Sequence, residues 1–165
     1  MGSQPYYYFC EFQEDADIAL QQLRQHEFEQ GRYYPAATHL DFPPNPASVA
    51  CGAQHSSVEE AFKAGGPEGT GSILDIQRIS TTPEQMTSSP LPTEFLLRFF
   101  RTETPTRDMV ESIIIREELI DEDDIDPLDA WDDFADLVWT PGGCHFVVYA
   151  DDQPSEIFFM GYVSG

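Results

Sequence analysis

At 165 residues, 41% hydrophobic and 13% aromatic, the chain is long enough for one domain with a real core and too apolar to be disordered. Its 30 acidic and 8 basic residues give a net charge of -22. That balance disfavours direct binding to nucleic acid or anionic membranes, because displacing counterions takes clustered cations, and Arg24, Arg32, Lys63, Arg78, Arg98, Arg101, Arg107 and Arg116 are scattered.

Residues 1–4 read as a flexible N-terminus without a basic, signal-like region, and no apolar run nears the roughly 20 residues that span a bilayer. A cytoplasmic location is the expectation. Cys10, Cys51 and Cys144 are an odd, widely spaced set that suits reduced thiols better than a disulfide framework.

Tyr6 to Gln13 alternates as a strand, with Tyr6, Tyr8, Cys10 and Phe12 on one face and Tyr7 and Phe9 making the other apolar, so it is expected to be interior or covered on both sides. Asp15 or Asp17 then caps a helix to about Gln30 through Ala16, Ala19, Leu20 and Leu23, and Gly31 stops it. His26 reads as a cation near the helix C-terminus. Residues 32–55 are aperiodic and proline-broken, a long loop expected to be packed down by Tyr33, Tyr34, Leu40 and Phe42.

Ser57 and Glu60 form a capping box for a short helix to about Ala64. The glycine-rich run from Gly66 to Gly71 is not a phosphate loop, since a helix precedes it and no lysine lies inside it. Ser72 to Ser80 is expected as a second strand, with Leu74 and Ile76 opposite Ile73 and Ile79, and Thr81 to Thr93 as a polar linker. Glu94 to about Arg101 predicts a helix through Phe95, Leu96, Phe99 and Phe100. Thr104-Pro105-Thr106 starts another, its inner face Met109, Val110, Ile113 and Ile114, although the β-branched run at its end also suits a strand.

Residues 117–126 form an acidic connector, and Asp126-Pro127 opens a helix with Leu128, Trp131, Ala135 and Val138 on one face. The chain then closes on a hairpin, Cys144 to Ala150 and Glu156 to Val163, turning around Asp151 to Pro154. Both strands are apolar on both faces, so one face must pack on helices and the other must be covered by the long loop, a further helix or a partner. The fold expected for 1–165 is a single α+β domain of about four largely antiparallel strands with three to five helices on the sheet.

No family motif and no cofactor signature accompany this pattern. His39 with Asp41, Cys51 with His55, and Cys144 with His145 lack finger or ribbon spacing, so no metal site is assigned. An EF-hand reading of Asp121 to Asp126 fails for want of the sixth-position glycine. Adjacent Cys144 and His145 point to opposite sides of a strand, which removes a thiol nucleophile with its base. No catalytic residue is assigned.

What remains is recognition. Asp121, Glu122, Asp123, Asp124, Asp126, Asp129, Asp132 and Asp133, with Trp131 as an aromatic anchor, predict a surface that steers a basic protein partner, by analogy with acidic immunity and inhibitor proteins. The plainer alternative is a solvated acidic surface that serves solubility or adaptation to high salt. A small enzyme or metal-dependent protein of unrecognised type is the other class the sequence leaves open.

Overall fold

The computed structural model describes residues 5–41, 44–116 and 142–162. Five strands, β1 (Pro5–Glu11), β2 (Arg78–Ile79), β3 (Thr87–Pro90), β4 (Gly142–Ala150) and β5 (Gln153–Tyr162), form one mixed sheet ordered β1-β5-β4-β3-β2. The long pairings, β1 with β5 and β5 with β4, are antiparallel, whereas β3 runs parallel to both β4 and β2. Four helices among the described residues, α1 (Ala16–Gln30), α2 (Val58–Gly65), α3 (Thr93–Phe100) and α4 (Arg107–Val110), complete an α+β fold. None of the described helices is long and apolar enough to cross a membrane.

Local chemistry accounts for the helix ends. Asp15 accepts from the amides of Asp17 (2.9 Å) and Ile18 (3.4 Å), and Gly31 ends α1 at φ 75°. Ser57 accepts from the Glu60 amide (3.2 Å) to start α2. Thr106 caps α4 by accepting from Met109, so that helix starts two residues later than Thr104 predicted. A π-helical turn, Glu111–Ile115, extends α4 and settles the β-branched run as helical. Met109 is exposed rather than on the inner face.

Strand alternation then builds two cores. Tyr6 and Tyr8 of β1 and Ile157 and Phe159 of β5 face α1 and α2, packing on Leu20, Leu23, Ala61, Ile73 and Leu74. Tyr7, Phe146, Val148, Phe158 and Met160 face the other way, against Phe95, Phe99, Phe100, Val110 and Ile114. Neighbouring Phe158 and Phe159 are both 0% exposed, so the sheet is covered on both sides, the second side by further helices. Burying each such ring contributes roughly 1.5–3 kcal/mol. β1 is the edge of the sheet rather than interior, yet it is covered on both faces, which is why its tyrosines and Phe9 read as apolar on both sides.

Three expectations are corrected. Ser72 to Ser80 is not one strand: Ile73–Asp75 is a 3₁₀ turn, and only Arg78–Ile79 joins the sheet. Side chains capture the amides that a ladder would use. Asp75 accepts from the Thr70 amide (2.7 Å) and Thr70 hydroxyl (2.8 Å), and Ser72 accepts from the Leu74 amide (3.2 Å). Ile73, Leu74 and Ile76 therefore share one core instead of alternating. The linker 81–93 contains β3, making five strands in place of four and adding parallel pairings. The hairpin turns on Asp151 and Asp152 alone (φ 51° and 61°), a two-residue turn of the type that matches strand twist, so β5 starts at Gln153 and not at Glu156.

In the 32–55 loop, Tyr33 is fully buried and its hydroxyl lies 2.8 Å from His55 Nδ1 while accepting from the Gln54 amide (3.2 Å). Tyr34 is exposed, and the packing assigned to Phe42 lies outside the described residues. So do the connector 117–126 and the helix expected from Pro127.

Candidate functional site

All nine residues assigned to partner binding, Asp121, Glu122, Asp123, Asp124, Asp126, Asp129, Trp131, Asp132 and Asp133, lie outside the described residues. The structure fixes the two points that flank them, Arg116 after the π turn of α4 and Gly142 at the start of β4.

Among the described residues, one arrangement of catalytic residue types is present and is sealed. Ser88 Oγ lies 2.8 Å from His145 Nδ1, joining β3 to β4 at parallel neighbours. Ser88 is 1% exposed and His145 7%, and the imidazole leans on the Phe159 ring at 5.5 Å between centroids. Burial lowers the His145 pKa to about 4, so the ring is neutral near pH 7 and is a poor base as well as an inaccessible one. Cys144 sits on the opposite face in the other core, as strand alternation predicts, and burial pushes its thiol up. The Ser88–His145 bond pins a short polar strand into the sheet.

A second arrangement is open. A cavity of about 480 Å³ is lined by Tyr7, Tyr8 and Phe9 of β1. Three consecutive strand residues point to alternate faces, so a cavity that touches all three lies over the strand's outer edge. Leu23, His26 and Glu27 of α1, with Arg32 and the 44–46 segment, form one wall; Arg107, Glu111, Ile115 and Arg116 form the other. Three of the chain's 8 cations thus converge on one cavity, although Arg32 and Arg107 are far apart in sequence.

Each wall has its own electrostatics. Arg32 Nη1 lies 3.2 Å from Glu27 Oε1, an ion pair whose side chains are 11% and 6% exposed, and Nη2 donates to the Pro46 carbonyl at 3.4 Å. Burial raises the Glu27 pKa, with Arg32 and His26 working the other way. The pair touches at one contact only, and Glu27 Oε2 and Arg32 Nε are buried without a hydrogen-bond partner among the described residues. Burial, and then the Glu27 carboxylate, push the Tyr8 hydroxyl far up, opposed by the Ile73 amide and Arg32. That phenol stays protonated.

On the other wall, the Arg107 guanidinium stands 4.2 Å over the Phe9 ring, clamped by Glu111 (2.8 Å) and Glu156 (2.8 Å). The hydrogen bond to Glu111 is the main reason its pKa is raised. Arg116 donates to the Ser112 hydroxyl at 3.3 Å. The lining thus brings the Arg32–Glu27 and Arg107–Glu111 pairs together with Arg116 and His26. Sequence reasoning assigned none of these residues to a site. The only signal was the scarcity of cations, which makes any convergence of them notable.

No family model, curated protein or solved structure matches this chain.

Proposed function

We propose that this protein is a non-catalytic acidic interaction module, of the immunity or inhibitor kind, that binds a basic protein through the carboxylates of 117–136 with Trp131 as an apolar anchor. The observation that carries this reading is charge that has no internal partner. Even if each of the 8 cations neutralised one acid, 30 − 8 = 22 carboxylates would lack a cation. Arg32, Lys63, Arg78 and Arg107 are already paired with Glu27, Glu60, Glu84, and Glu111 with Glu156. The remaining field attracts a positively charged partner and raises its association rate by roughly 10 to 10³. The sealed Ser88–His145 pair supports a non-catalytic role, and the free thiols of Cys10, Cys51 and Cys144 suit the reducing cytoplasm that belongs to this reading.

The test is cross-linking in the native host followed by affinity measurement with the purified partner. A basic partner is expected, bound at least about 10-fold more weakly at 0.3 M than at 0.05 M NaCl because exposed charge pairs are screened. The combined Asp123→Asn, Asp124→Asn, Asp132→Asn and Asp133→Asn variant should weaken it by a similar factor. Salt-insensitive binding that survives those four changes would show that the carboxylates are not the recognition surface.

A further inference from the structure

We draw no further inference here: the strongest candidate, the cavity over the outer edge of β1, is lined by charges of both signs that define no ligand, and nothing in the structure shows what covers it.

Discussion

His145 is the residue at which burial most clearly becomes pH dependence. Its ring is held between Ser88 and Phe159, and burial lowers its pKa to about 4 from an ordinary value of 6.5. Because the folded value is the lower one, the unfolded chain takes up a proton below pH 6.5 that the folded chain refuses. Stability is therefore complete above pH 6.5 and falls as the pH drops toward 4. At about 1.36 kcal/mol per unit, the loss between pH 6.5 and 5 is about 2 kcal/mol. Glu27 and Asp75 act in the opposite sense: burial raises both pKa values, so acidification toward pH 5 relieves rather than costs. His145→Asn, which places an amide near the position of Nδ1 and cannot titrate, separates the two. Urea unfolding at pH 7.0 and 5.0 should show the wild type losing about 2 kcal/mol more than the variant across that interval. Equal losses would assign the pH dependence to other groups.

At the scale of elements, the C-terminus of α1 shows how a sequence signal and a tertiary contact combine. Gly31 takes φ 75° and its amide closes the helix onto the carbonyls of Glu27 and Phe28. A Cβ there would also run into the Gly52 carbonyl, held close by the Gly52 amide bonding to Gln30 (2.9 Å). Gly66 has a similar φ of 65° but open space where a Cβ would go. Gly66→Ala should cost about 1–3 kcal/mol for its glycine-only backbone (φ 65°, ψ −155°) alone, and Gly31→Ala more, since the 32–55 loop must shift as well. Urea denaturation of the two variants decides it. Equal losses would mean that the approach of the Gly52 carbonyl is not a constraint.

That cap was legible because glycine after a periodic stretch carries its own meaning, as were Asp15, Ser57 and the two-faced strands of the closing hairpin. β3 was not legible. Its residues Thr87, Ser88 and Ser89 are polar and buried, and what makes them a strand is pairing with β4 across more than 50 residues of chain. The break in the 72–80 strand was hidden for a related reason: alternation of apolar residues carries no record of Asp75 taking the Thr70 amide. The cavity lay further out of reach, because its charged lining is drawn from α1, the loop after it, α4 and the turn beyond. Those stretches meet only once β1 takes the edge of the sheet.

For the whole molecule, the controlling quantity is the net charge of -22. A folded chain of this length has a radius of gyration of roughly 15 Å, whereas the Debye length is about 30 Å at 0.01 M salt and about 8 Å at 0.15 M. At low salt every carboxylate thus repels every other across the molecule, and folding, which draws them together, is opposed. At physiological salt only near neighbours interact. The melting temperature should accordingly rise by several degrees from 0.01 to 0.15 M NaCl and change much less from 0.15 to 0.5 M, where most of the repulsion is already screened. Local ion pairs such as Arg78–Glu84 work against the trend but are exposed and contribute at most about 1 kcal/mol each. Calorimetry at fixed pH across that salt series measures the balance. A melting temperature that stays flat or falls with salt would show that internal ion pairing outweighs the repulsion, and the excess of carboxylates would then no longer supply the field on which recognition of a basic partner depends.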